Sequence, residues 1–181
     1  YPDFTYTHDD AGNDIGVYLP SHIKEVWKVL QRLSLSSRTS AAVLGSGLGS
    51  VAAILGLYPI RKVTGFELNS KLVFSNGLIF ESFRDIFQAK IVEIRHRNFL
   101  EEDLSGYDLI WFFWSSMKRT DESKLLVQLN RQLKSQSLFV VYWPTQQAYA
   151  AVIQDAPLLK VYDTVKTLLL RDDIARVYQK I

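Results

Sequence analysis

The chain has 181 residues, 48% of them hydrophobic, which suits one domain with a substantial apolar core. Lys and Arg total 21 against 19 Asp and Glu; a formal net charge of +2 gives no electrostatic case for wrapping a polyanion, so no nucleic-acid partner is indicated. The absence of Cys excludes disulfides, thiolate nucleophiles and Cys-ligated metals, and the three His, at 8, 22 and 96, have no metal-ligand spacing.

Residues 1–20 are polar, turn-rich and poorly periodic, and read as an arm or lid over a single domain at 21–181. Tyr6, His8, Asp9, Asp10 and Tyr18 are the groups that such an arm could bring over a site mouth. "SHIKEVWKVLQRL" follows, with Ile23, Val26, Trp27, Leu30 and Leu33 at helical spacing after a Ser21 cap. A short strand at 41–44 enters the glycines of "VLGSGLGS", and "SVAAILGLY" continues as a helix. "KVTGFEL" at 62–68 is a second strand. The next helix is predicted over roughly 70–87, with Val73, Phe80, Phe83 and Phe87 on one side.

"KIVEI" at 90–94 and "YDLIWFFW" at 107–114 are the third and fourth strands, the latter apolar enough to be covered on both faces. A helix in "DESKLLVQLNRQLK" turns Leu126, Leu129 and Leu133 inward, and "SLFVVYW" at 137–143 is a fifth strand closed by Pro144. The alternation of strand and helix predicts a mostly parallel α/β sheet with helices on both faces. After a short helix near 145–154 the rhythm breaks. "LLKVYDTVKTLLL" and "IARVYQKI" are predicted as an antiparallel pair, with Leu159, Val161, Leu168, Leu170 and Val177 in strands. No apolar run approaches the roughly 18 residues that cross a bilayer, so no transmembrane segment is predicted and the expected location is cytoplasmic. A targeting segment or anchor upstream of Tyr1 would not be visible in these residues.

Between a strand and a helix, Gly45, Gly47 and Gly49 let backbone approach a ligand with no side chain in the way. Glu67 ends the next strand, 22 positions beyond Gly45, where a carboxylate can accept two hydrogen bonds from ribose hydroxyls. Together they point to a nucleoside cofactor. The third glycine stands one position early for a dinucleotide fingerprint, and no Gly-Lys-Ser/Thr follows to make a P-loop.

"VLGSGLGS", "VTGFELN", "RHRNFLEEDL", "YDLIWFFW" and the final hairpin resemble, in order and spacing, a class I S-adenosylmethionine-dependent methyltransferase over residues 18–181. Within that superfamily "YLPS" and "LGSGLGS…GFELNSKLV" are similar to the small protein-lysine methyltransferases of the FAM173 type, and more distantly to DOT1-type histone lysine methyltransferases. The resemblance implies a Rossmann-like, seven-stranded sheet whose last strand inserts antiparallel. It implies S-adenosylmethionine as cofactor, with Gly45, Ser46, Gly47 and Gly49 along its methionine part, Glu67 on the ribose, Leu68 on the adenine, and Asn98 and Phe99 at the adenine amino edge. Two positions depart from the pattern: Val43 stands where an acidic residue is common, and Asn98 where an Asp is common.

The acceptor pocket is expected beyond the strand ends that carry Trp114, Ser115, Ser116 and Trp143, with Trp114, Ser115 and Trp143 as the candidate catalytic set and no metal. "WFFWSS" replaces the Asn/Asp-Pro-Pro-Tyr/Phe string seen in methyltransferases of adenine and glutamine, and the family resemblance favours a protein lysine as substrate. Three other readings stay open: methyl transfer to a small molecule, an NAD-type oxidoreductase, and a cofactor-binding module without catalysis, the last suggested by Val43.

Overall fold

In the computed structural model, residues 7–8, 12, 14–16, 22–113, 119–142, 146–166 and 173–181 are described. Strands β1 (Thr7–His8) and β2 (Asp14–Gly16) form a small antiparallel pair. The remaining order is α1 (Ile23–Leu30), β3 (Ser40–Leu44), α2 (Ser50–Gly56), β4 (Lys62–Glu67), α3 (Ser70–Ser82), β5 (Val92–His96), β6 (Leu109–Phe113), α4 (Arg119–Gln132), β7 (Leu138–Tyr142), α5 (Gln146–Asp155), β8 (Leu159–Lys166) and β9 (Asp173–Lys180).

The seven longer strands make one sheet in the order β5-β4-β3-β6-β7-β9-β8. β3 is parallel to β4 and β6, β4 to β5 and β6 to β7, whereas β9 runs antiparallel to both β7 and β8. All five residues of β3 are buried, as a central strand covered on both faces requires. Alternate residues feed two cores. Ala41, Val43, Val63, Trp111, Val140 and Val177 pack with α1 and α2; Ala42, Leu44, Phe66, Phe112, Phe139 and Tyr178 pack with α4 and α5. Strand order reverses between β3 and β6, which opens a crevice at their carboxyl ends.

The sequence reading holds for the strand and helix order and for the antiparallel insertion of the last strand. It needs correction in detail. The buried stripe of α1 is Val26, Val29 and Leu30, continued by Leu33, while Ile23 is 64% exposed and Trp27 41% exposed. Trp27 lies against the Tyr58 ring at 5.4 Å, so a partner outside the helix sets its place. His22 is the N-cap and makes no side-chain cap bond; Ser21 lies outside the described residues. The helix predicted to 87 ends at Ser82, because Phe83 (φ −109°, ψ 7°) leaves helical geometry and a 3-10 turn follows at Arg84–Ile86. Phe87 meets Phe80 edge-on at 5.7 Å by this fold-back rather than along one stripe, and Phe83 is left 48% exposed.

The third strand lies two residues later than predicted. Its parallel register sets Val92 against Val63 and His96 against Glu67, and an edge strand tolerates the polar end that results. Leu125 joins the inward face of α4, where Leu126, Leu129 and Leu133 are buried as expected. In the hairpin Leu159 and Val177 are buried and Val161 is exposed; Leu168, Leu170 and Pro144 lie outside the described residues. Among the described residues no helix is long and apolar enough to cross a membrane.

Candidate cofactor site

Where β3 meets α2, the backbone turns through Gly45, Gly47 and Gly49 at φ of 63°, 55° and 72°. At Gly49 any side chain meets two obstacles. The left-handed conformation costs roughly 1–2 kcal/mol for an L-residue, and a Cβ there would stand 2.6 Å from Asn76 Oδ1. Gly65, in the middle of β4, permits a second close approach: a Cβ would stand 2.3 Å from Ile94 Cδ1 and 2.8 Å from Ser46 Cβ. The loop thus rests directly on strand backbone. Gly45, by contrast, has no heavy atom of the described residues beyond its chain neighbours within 4 Å of a Cβ position.

Hydrogen bonds fix this loop from below. The Ser46 N–H donates to Phe66 O at 2.9 Å, and the Gly49 N–H donates to Ser46 O at 2.8 Å. The Gly47 N–H donates to Glu67 Oε2 at 2.8 Å, and Asn76 Nδ2 donates to Gly47 O at 2.7 Å. Glu67, 7% exposed, also accepts from the Leu68 and Asn69 N–H groups through Oε1, at 2.9 and 3.0 Å. A carboxylate has about four acceptor positions, so among the described residues these three bonds leave one, on Oε2. The two ribose bonds expected of Glu67 are therefore reduced to one open position, because backbone N–H groups already use the rest. Among the described residues, Ser46 Oγ and Asn76 Oδ1 are buried without a hydrogen-bond partner.

The other predicted residues flank this core. Leu68 is half-buried, with its N–H on Glu67 and its carbonyl hydrogen-bonded to His96 Nε2 at 2.9 Å. Asn98 caps the 3-10 turn Phe99–Glu101: Oδ1 accepts from the Leu100 N–H at 3.1 Å and Nδ2 donates to Glu101 Oε1 at 2.8 Å. Among the described residues, one lone pair of Oδ1 has no donor. Phe99 turns its ring inward against Phe112 at 6.1 Å, so it offers main chain rather than a ring at the strand end. Val43 is buried in the core shared with α1 and α2.

Trp114, Ser115, Ser116 and Trp143 lie outside the described residues, as do Tyr6, Asp9, Asp10 and Tyr18 of the arm. The residues just before them are placed. Leu44 is level with Phe112, and Phe113 with Tyr142, so the ends of β3, β6 and β7 stand side by side. Tyr142 is fully buried, with its ring 5.4 Å from Trp111 and 5.5 Å from Phe113. Its hydroxyl donates to Glu25 Oε2 at 2.9 Å, tying α1 to the sheet. Burial, reinforced by the Glu25 carboxylate, pushes the Tyr142 phenol well above its ordinary value, so it remains a donor at neutral pH. Among the described residues, no group of three or more His, Asp or Glu converges as a metal site.

Sequence reasoning missed Asn76, Gly65 and the Glu25–Tyr142 bond. The first two left a trace. Asn76 is a polar residue on the stripe Val73, Asn76, Phe80, and Gly65 is a glycine inside a strand, which marks close backbone approach.

Neither a family model nor a curated protein matches the sequence. Solved structures match the fold. An RNA methyltransferase from Salinibacter ruber in complex with S-adenosyl-L-homocysteine is similar at 18% identity and a TM-score of 0.66, covering 90% of this chain and 92% of that one. Geranyl diphosphate C-methyltransferase from Streptomyces coelicolor A3(2) is similar at 12% identity and a TM-score of 0.67, over 87% of this chain and 76% of that one. The [4+2]-cyclase SpnF is similar at 13% identity and a TM-score of 0.65, over 79% of this chain and 58% of that one. A fold shared by such different proteins does not by itself fix a reaction. Strand order, the antiparallel insertion of β9, the glycine loop after the first long strand and these likenesses together give the chain the class I S-adenosylmethionine-dependent methyltransferase fold.

Proposed function

We propose that the chain is an S-adenosylmethionine-dependent methyltransferase whose acceptor is the amine of a protein lysine. The observation that carries the cofactor reading is the Glu67 carboxylate bonded to the Gly47 N–H in the glycine loop. A pyrophosphate needs free N–H groups, and those of Ser46, Gly47 and Gly49 already donate to protein oxygens. This argues against the NAD-type oxidoreductase.

When bound, S-adenosylmethionine supplies a methyl group on a sulfonium, open to in-line displacement by a neutral amine. Gly45, Ser46, Gly47 and Gly49 would line its methionine part, and Glu67 would take one ribose hydroxyl on its remaining acceptor position. Leu68 would pack on the adenine, with Asn98 and the Phe99 main chain at its amino edge. Trp114, Ser115 and Trp143 follow directly on the strand ends of Phe113 and Tyr142. There they would wall the acceptor channel, orient the amine and exclude water. Residues 1–20 would act as its cover, and a cytoplasmic location accompanies this reading.

The lysine assignment is supported by the resemblance of "YLPS" and "GFELNSKLV" and by "WFFWSS" in place of the adenine and glutamine string. A binding module without catalysis is the second reading, favoured by Val43, which leaves the strand before the loop without a carboxylate. The test is calorimetry with S-adenosylhomocysteine, followed by labelled S-adenosylmethionine supplied to lysate of the source cell. Binding, and label on protein lysine at a rate that rises with pH toward the amine's ordinary pKa of about 10.4, is the expected outcome. Label on RNA or on a metabolite overturns the lysine acceptor, and tight binding without transfer supports the module.

A further inference from the structure

Asn76 stands in the middle of α3 and is 0% exposed. Burying a carboxamide is unfavourable unless its polar atoms are bonded. Its Nδ2 donates to Gly47 O at 2.7 Å, but Oδ1 has no partner among the described residues. For packing alone, an apolar side chain such as Leu, with the same branched skeleton, would leave no orphaned oxygen. The donor is what the position retains.

Its target is specific. Glu67 takes the N–H of Gly47 and Asn76 takes the carbonyl, so the peptide planes on both sides of the Gly47 Cα are gripped by buried side chains from β4 and α3. Gly47 has a positive φ of 55° and, having no side chain, few steric limits of its own to hold that value. Asn76 also presses on the next turn of the loop, since its Oδ1 occupies the space that a Cβ on Gly49 would need.

We propose that Asn76 is a positioning residue of the cofactor site. Through the Gly47 carbonyl it holds the Gly45–Gly49 loop in the conformation that receives the ligand, and it does not touch the ligand itself. The proposal rests on the reading of this loop as the S-adenosylmethionine site. It separates two roles that burial alone would merge: a core residue supports the whole fold, whereas this one supports the shape of one loop.

The test is Asn76→Leu, read in two ways. Without ligand, hydrogen exchange at the amides of residues 46–49 is expected to quicken about tenfold, as for loss of one hydrogen bond, while exchange in β3 and β6 is unchanged. With ligand, calorimetry is expected to show S-adenosylhomocysteine bound at least about tenfold more weakly. Unchanged loop exchange overturns the proposal. So does quickened exchange with unchanged affinity, and so does a loss of affinity that only tracks a loss of global stability. If the leucine variant does not fold, Asn76→Ser removes the long donor without adding bulk, and the same readings decide. If the wild-type protein does not bind S-adenosylhomocysteine, the proposed function falls, and loop exchange alone decides whether Asn76 holds Gly47.

Discussion

The half of the sheet from β5 to β3 and the half from β7 to β8 are stabilised by different means. Six of the eight buried polar side chains among the described residues, Thr39, Ser40, Ser46, Thr64, Glu67 and Asn76, belong to the first half and its connections. Glu67 and Asn76 each bond Gly47 of the glycine loop, and among the described residues Ser46 Oγ and Asn76 Oδ1 have no partner. The seam between β7 and β9 sets Val140 opposite Val177, Phe139 opposite Tyr178 and Tyr142 opposite Ala175, with Arg176 and Gln179 as its polar members. Buried polar networks fix a shape at some loss of stability, whereas apolar pairing adds stability with less demand on geometry. The shape of the loop half is thus fixed by buried polar bonds, and the hairpin half contributes apolar burial.

Removing β9 tests that division most severely. Deletion of all residues after Asp172 uncovers the edge of β7 and strips Ala175, Val177 and Tyr178 from the two cores, so loss of cooperative folding and aggregation are expected. A soluble truncation with a single sharp melting transition would make the hairpin peripheral. A smaller effect is expected at the polar end. Glu67→Ala should weaken S-adenosylhomocysteine binding by roughly 1–3 kcal/mol through loss of charged hydrogen bonds and of the Gly47 grip. Equal calorimetric affinity in both proteins would remove Glu67 from the site.

Tyr142 tests the boundary between the halves, because it carries a polar contact on an otherwise apolar strand. Tyr142→Phe should cost about 1 kcal/mol of folding stability, since half-buried Glu25 can regain water. The phenol's folded pKa is raised above its ordinary 10.0, so its contribution is complete below that value and fades only as pH rises beyond it. Denaturation curves should therefore give a constant difference between wild type and variant from about pH 6 to 9. A difference that disappears within this range would show that Glu25 does not hold the hydroxyl.

What could be read from sequence was local. Gly45, Gly47, Gly49 and Glu67 announce themselves by residue type and spacing, and β3 and β6 by apolar runs. Partners distant in sequence were not legible. Trp27 fits the helical stripe of α1, but Tyr58 draws it to the rim, and no periodicity encodes that contact. Glu25 and Tyr142 are 117 residues apart and leave no pattern at all. The predicted third strand followed its apolar residues, while the true one follows the register of β4. Asn76 interrupts an apolar stripe, a signal that gains meaning only once Gly47 is known to lie opposite.

The place of β9 also governs the order of assembly. It lies between β7 and β8 in the sheet but follows both in the chain, so the parallel core can form while β7 still lacks its outer neighbour. Ribosomal synthesis is slow compared with strand collapse, at about 5–20 residues per second. Until β9 is made, β7, with Phe139, Val140 and Val141, lacks its outer partner in the sheet. The hairpin that completes the sheet last sets the interval during which the growing chain is open to misassembly with its neighbours.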